Sequence, residues 1–231
     1  MASKLRTYIV AWIYPNTINL SISHYVGVFM TSSTKILILK VLIHLSALVP
    51  LLNLYFLAFS DELGADPVER VIHFTGIAAL NLLLITLAVS PLAKLLKQGY
   101  LLQVRRLLGL YAYTYAVFHL VNFLAFEVQF DGVLFVNEVI KRPYITIGMV
   151  AFVLLTALAI TSVHKLKRKM GKSWQTLHNY NYLIVILVCV HFYWSVKSEL
   201  ISPLFYLILS LSLLLLRYKK IKKLFTSIFP K

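Results

Sequence analysis

Cysteine is almost missing from this 231-residue chain, since Cys189 is its single thiol and sits within an apolar run. One thiol excludes an intrachain disulfide, a CxxC motif and any multi-cysteine metal or cluster site, and it leaves the redox compartment open. Charge is scarce too, because 13% of the residues are Asp, Glu, Lys or Arg where soluble domains carry about 25%. With 60% apolar or aromatic residues, a water-soluble globule is excluded. Negative charge is the scarcest: eight Asp and Glu face 23 Lys and Arg, a net +15. A nucleic-acid reader would set its basic residues among a normally polar surface, and that surface is absent, so no nucleic-acid partner is expected. The charge instead marks membrane topology.

Six stretches free of Lys, Arg, Asp and Glu, at 41–60, 71–93, 107–126, 143–164, 173–196 and 200–216, each come close to the ~20 residues that cross a bilayer core. Period-two alternation never persists, which argues against an outer-membrane barrel. The expected class is an all-α membrane protein, a six-transmembrane-helix bundle. Alternate joints are basic, one with Lys94, Lys97, Arg105 and Arg106, the next with Lys165, Lys167, Arg168, Lys169 and Lys172, and the tail continues the pattern from Arg217. All eight acids, Asp61 to Glu199, fall on the opposite side. The positive-inside rule then puts both termini in the cytoplasm. The basic joints are expected to meet lipid headgroups.

Residues 1–35 read as an N-terminal extension, interfacial or not translated, 36–217 as the transmembrane domain and 218–231 as a basic cytoplasmic tail. The outer loop from Glu127 to Pro143 is short, and no internal repeat is visible. Pro50 reads as a kink in the first helix and Pro91 as the stop of the second.

The chemistry lies with histidine. His44, His73, His119, His164, His178 and His191 lie in or at the edges of the apolar windows, where ionisable side chains are functional candidates. Each alone could be an interhelical hydrogen bond or a headgroup contact; six together favour ligation. No Asp or Glu falls within any window, so a hard-metal cage or a carboxylate proton pump lacks its ligands. Imidazole-only ligation between facing helices points first to b-type haem, with a zinc or copper histidine site as the lesser option. His191 lies 13 residues beyond His178 and His119 lies 13 beyond Arg106, each a rise of about 20 Å, so His119 and His191 share a level. His178 would need His44 or His164 as an inner partner, and His73 lies at the outer end of its helix. A 13-residue step turns about 220°, so His178 and His191 share a face only if the helix is bulged or frayed between them.

Several strings carry a resemblance: His73-Phe-Thr-Gly76, Leu87-Ala-Val-Ser-Pro-Leu-Ala93, Arg105-Arg-Leu-Leu-Gly-Leu110, Arg142-Pro-Tyr144, Gly171-Lys-Ser-Trp174, Leu177-His-Asn179 and His191-Phe-Tyr-Trp-Ser-Val-Lys197. Over roughly 36–223 the chain resembles the haem-binding membrane subunits of periplasmic methionine sulfoxide reductase systems, within the ferric-reductase-like transmembrane superfamily. The resemblance implies a bacterial inner-membrane electron-transfer subunit that holds one or two haem b groups and has no catalytic residues of its own. It implies electrons from the quinone pool or a cytosolic flavin reductase, with FMN a further candidate cofactor. The implied acceptor is the periplasmic molybdopterin enzyme MsrP, which repairs methionine sulfoxide in oxidised envelope proteins. By residue matching, the haem-linked histidines fall on His119 and His191, with His178 ligating or orienting a second haem. His44, His164 and His73 are the additional candidates.

Arg105 and Arg106 read either as positive-inside anchors or as a clamp on haem propionates or a flavin phosphate. Helix 3 carries one histidine where the related NADPH oxidases carry two. No GxGxxG fingerprint follows Leu216, so donor binding is expected from another protein or from quinone. Gly76 and Gly109 are expected to let a helix or haem approach closely, and Cys189 to pack. A ferric or cupric reductase core and a non-redox histidine transporter are the competing readings.

Overall fold

Helix formation follows from solvent: in a bilayer every backbone N–H and C=O must find its partner within the segment, and helices achieve this. The computed structural model describes residues 32–196 and 200–218, and among them there is no strand. Helix α1 runs Ser32–Phe59 and α2 Pro67–Leu95; a 3₁₀ segment, Gly99–Val104, leads into α3, Arg105–Asn122. A π-helical turn, Phe123–Glu127, is followed by α4, Gly132–Lys141, and α5, Pro143–Ile160. The short helices α6, His164–Met170, and α7, Lys172–Asn179, precede α8, Asn181–Ser195, and α9, Ile201–Leu215.

Local signals set the boundaries. Asp66 caps α2 by accepting from the Glu69 N–H at 2.9 Å, and Pro67 occupies the first turn, where its missing N–H costs nothing. Asp131 caps α4 in the same way through Val133 and Leu134 N–H, and Pro143 opens α5. Gly171, at φ +55°, makes the break between α6 and α7 that a side chain would resist.

Four units are long and apolar enough to cross a membrane: Ser32–Phe59, Pro67–Leu95, Gly99–Glu127 and Pro143–Ile160, with Ile201–Leu215 a shorter apolar helix. Two pairs dominate the packing, α2 with α3 and α5 with α8. They meet in one core of Leu80, Leu83, Leu87, Ala112, Ala151, Ile184, Val185 and Cys189. Large side chains such as Leu52, Phe56, Ile208 and Leu215 point outward and are more than 60% exposed. In water that would be an aggregation surface; against lipid it is the expected outer face.

The helices depart from the sequence expectations in four places. The first begins at Ser32 rather than 41. Pro91 does not stop α2, which continues to Leu95; Arg217, just beyond α9, donates from Nη2 to the Leu87 carbonyl at 2.5 Å, in place of the N–H that Pro91 lacks. The 173–196 window is two helices, broken at Tyr180. The loop after Glu127 folds into α4. The extension at 1–31, Lys197 to Glu199 and the tail from 219 lie outside the described residues.

Candidate functional site

His119 belongs to α3 and His191 to α8, one from each dominant helix pair. Their ring centres are 6.2 Å apart and their planes nearly perpendicular, at 85°. Each ring lies across a glycine of the partner helix. A Cβ placed on Gly76 of α2 would stand 3.0 Å from His119 Cε1 and Nδ1, and one on Gly148 of α5 would stand 2.8 Å from His191 Nδ1. Each Nδ1 also meets a backbone carbonyl, His119 with Ile72 O at 2.9 Å and His191 with Tyr144 O at 2.7 Å. A carbonyl oxygen only accepts, so Nδ1 carries the proton and donates, and Nε2 keeps its lone pair.

The two halves repeat one another. In each, the acceptor carbonyl lies four residues before the glycine and 47 residues before the histidine. Ile72, Gly76 and His119 recur as Tyr144, Gly148 and His191, 72 residues later in every case. The same displacement carries Arg106 onto His178, so the position matching the inner histidine is an arginine.

This donor set fits a metal bound between two imidazoles. A ligating histidine characteristically donates its other ring nitrogen to a carbonyl, which fixes tautomer and orientation. Two imidazoles bound through metal–nitrogen bonds of roughly 2 Å would set their ring centres roughly 6 Å apart, the separation found here. No cluster of three or more His, Cys, Asp or Glu suited to a metal ion occurs among the described residues, so a closed zinc-type cage has no ligands there.

The other histidines are placed differently. His178, on α7, sets Nε2 3.1 Å from the Thr161 hydroxyl and stacks on Trp174 at 4.0 Å. Because Thr161 Oγ1 donates to the Ala157 carbonyl at 2.7 Å, the imidazole Nε2–H is the donor to Thr161. Burial, with the positive charges of Lys167 and Arg105, lowers the His178 pKa. His44 is exposed on α1 and bonds Tyr111 through Nδ1. His164 is exposed on α6, and His73 is exposed with its ring 6.0 Å from Phe192. The structure therefore joins His119 with His191 and gives His178 neither His44 nor His164 as a ring partner.

Gly76 makes the close approach expected of it, whereas Gly109 faces open space. Cys189 is buried, its sulfur 3.3 Å from Ser210 Oγ. Arg106 is exposed and Arg105 half-buried. Two residues, one in the site and one apart from it, escaped the sequence reading. Gly148 had no flanking motif, and only its spacing to Tyr144 and His191, matched against Ile72, Gly76 and His119, could have found it. Arg217 was read as the first residue of a basic tail, yet it is only 6% exposed.

Residues 75–189 match the family described as Ferric reductase like transmembrane component. The matched segment includes Gly76, His119, Gly148 and His178 and stops two residues short of His191. No solved structure matches the chain. The match makes the chain similar to that family over 115 of its 231 residues and, with the four helices of spanning length, supports a multi-pass membrane protein.

Proposed function

Taking the ferric-reductase-like match as the premise, we propose that this chain is a haem b transmembrane electron-transfer subunit of the MsrQ (YedZ) type. The observation that carries the reading is the His119–His191 pair, whose rings are oriented by matching carbonyls and glycines and whose Nε2 lone pairs are free. In this reading Nε2 of His119 and Nε2 of His191 hold the iron. Haem b, when bound, supplies a one-electron iron couple whose potential follows from its ligands and surroundings.

The chain's own residues do the positioning. Ile72 and Tyr144 carbonyls keep each proton on Nδ1, so both histidines offer neutral imidazole. Gly76 and Gly148 let the rings lie flush on α2 and α5, and the apolar core beneath, from Ala79 to Leu87, keeps water from the basic end of the bundle. Imidazole ligands without carboxylates keep the protein's own charge at the site at zero.

The topology belongs to the same proposal. Helices α8 and α9 complete six spans, each rising about 22 Å and reaching the interfaces with flanking residues. The basic joints and both termini face the cytoplasm, and the chain sits in the bacterial inner membrane. The electron donor is the quinone pool or a cytosolic flavin reductase with FMN, and the acceptor is the molybdopterin methionine sulfoxide reductase MsrP at the outer face, for repair of oxidised envelope proteins.

The test is reconstitution. Vesicles containing the chain, supplied with a quinol or with flavin reductase, NADPH and FMN, and with MsrP added outside, are expected to reduce methionine sulfoxide. His119→Ala or His191→Ala is expected to abolish this turnover. Reduction of ferric or cupric chelates with no transfer to MsrP would assign the chain to a metal reductase instead, and vesicles inert towards every acceptor would refute the electron-transfer reading.

A further inference from the structure

The joint between α1 and α2, with the first turn of α2, carries four of the chain's eight acids, Asp61, Glu62, Asp66 and Glu69, and one cation, Arg70. All five side chains are exposed. Arg70 does not pair with the carboxylates: its Nη1 donates to the Leu63 carbonyl at 2.8 Å and lies 4.0 Å from where a Gly64 side chain would begin. The guanidinium therefore rests on the backbone of the joint, and among the described residues the ion pair is Arg142–Glu138. Asp66 commits one carboxylate oxygen to the Glu69 N–H and keeps the other free. Both signs of charge stand side by side with donors and acceptors to spare.

Arg70 also lines a groove of about 270 Å³ between α1 and α2. The rest of the lining is apolar, with Pro50, Leu54 and Leu57 from α1, Leu63 from the joint and Phe74 from α2, except for one amide, Asn53. Leu54 and Leu63 are buried and pack with Val71 to make the floor. Asn53 is exposed on α1, six residues before its end at Phe59, a depth of about 9 Å. At that depth an exposed amide faces hydrocarbon rather than water, which is costly unless something in the bilayer meets it. From the end of the bundle inward the order is thus carboxylates, guanidinium, amide and apolar slot.

We propose that this groove is a binding site for one molecule of phosphatidylethanolamine. The lipid presents the complementary groups in the same order: an ammonium, a phosphate, ester carbonyls and an acyl chain. The ammonium donates to the carboxylates of Asp61, Glu62 and Asp66. The phosphate accepts from the donors of Arg70 that Leu63 leaves free, a match for the guanidinium fork. An ester carbonyl accepts from the Asn53 amide, and a chain lies along Leu54, Leu57 and Phe74. The charges select among lipids. Phosphatidylglycerol brings a net negative charge among four carboxylates, and phosphatidylcholine has a quaternary ammonium with no N–H to donate. Phe74 is two residues from both Ile72 and Gly76, about 200° round α2, so the groove and His119 use opposite faces of that helix. The proposal rests on the membrane reading and is independent of haem.

The experiment titrates the full-length protein, purified in a mild detergent, with phosphatidylethanolamine, phosphatidylcholine or phosphatidylglycerol of identical chains. Native mass spectrometry counts bound lipid, and the unfolding midpoint is followed alongside. A single phosphatidylethanolamine is expected, held about tenfold more tightly than either other lipid, the size of one charged hydrogen bond. Glu62→Gln combined with Asp66→Asn, which keeps a cap for α2, is expected to bring phosphatidylethanolamine down to the level of phosphatidylcholine. Arg70→Gln, which keeps an amide for the Leu63 carbonyl, should weaken both. Leu57→Trp fills the slot without changing charge and should weaken all three, whereas Leu52→Trp, on the lipid-facing side of α1, should change none. Should Arg70→Gln not fold, the other variants decide. Equal affinity for phosphatidylethanolamine and phosphatidylcholine, tighter binding of phosphatidylglycerol, or an undiminished preference in the Glu62→Gln, Asp66→Asn protein overturns the proposal. So does a ubiquinone that occupies the groove, blocked by Leu57→Trp, while phosphatidylethanolamine does not compete with it.

Discussion

Gly148→Ala is the sharpest perturbation of the histidine pair, because it adds one methyl group and removes nothing. The new Cβ would stand 2.8 Å from His191 Nδ1, 2.9 Å from Cε1 and 3.3 Å from Cγ. Unbonded heavy atoms settle near 3.5 Å or beyond, so the ring must retreat by roughly 0.7 Å. Backbone lies on one side, and the ring's tether to Tyr144 O is only 2.7 Å long; a shift of that size takes the bond to the edge of hydrogen-bonding range. The lost bond is worth about 1 kcal/mol in stability, and loosening a metal ligand's orienting partner typically costs 10–100-fold in affinity. Haem titration of the apoprotein, followed at the Soret band, is therefore expected to show about 10–100-fold weaker binding in Gly148→Ala. Gly76→Ala, whose closest contacts are 3.0 Å, should lose nearer tenfold. Gly109→Ala, which meets nothing within 4 Å, should bind as the parent does. Wild-type haem affinity in Gly148→Ala, or equal damage from Gly109→Ala, would refute the steric reasoning.

Three further outcomes follow from named contacts. His178→Ala should keep the haem held by His119 and His191, since His178 is bonded to Thr161; pyridine-haemochrome quantification checks it. Cys189→Ala should leave the haem spectrum unchanged and cost about 1 kcal/mol of stability, as its thiol contacts Ser210 and the core. Pro91→Ala restores an N–H for Leu87 O, so Arg217→Ala should hurt less in that background; a double-mutant cycle by denaturation should show a coupling of about 1.5–3 kcal/mol, the value of a hydrogen bond from a charged donor.

Membrane character, helical class and the pairing of His119 with His191 were legible because each rests on a coarse regularity: uninterrupted apolar length, carboxylate-free windows, and equal distance from a basic joint. The 72-residue repetition was not, since Gly76 with Gly148 and His119 with His191 recur among residues that otherwise differ. A backbone carbonyl such as Ile72 O carries no side-chain signature at all. The fate of Pro91 was hidden for a related reason: proline's local effect is legible, but the guanidinium that repairs it comes from 130 residues away. Arg217 follows the positive-inside pattern so well that nothing in its surroundings announces burial. The break at Tyr180, which separates the helix of His178 from that of His191, lies in a stretch without glycine or proline, where tertiary contacts of Trp174 and His178 with the end of α5 decide the chain's path.

If His119 and His191 together hold a haem, neither can be lost without losing it. An oxidised-minus-reduced spectrum with pyridine-haemochrome quantification, on detergent-purified protein expressed with added haem, decides this when run alongside His119→Ala and His191→Ala. The expected result is a b-type spectrum with a single haem per chain, lost in either variant. Colourless wild-type protein, or full haem content in either variant, would contradict it.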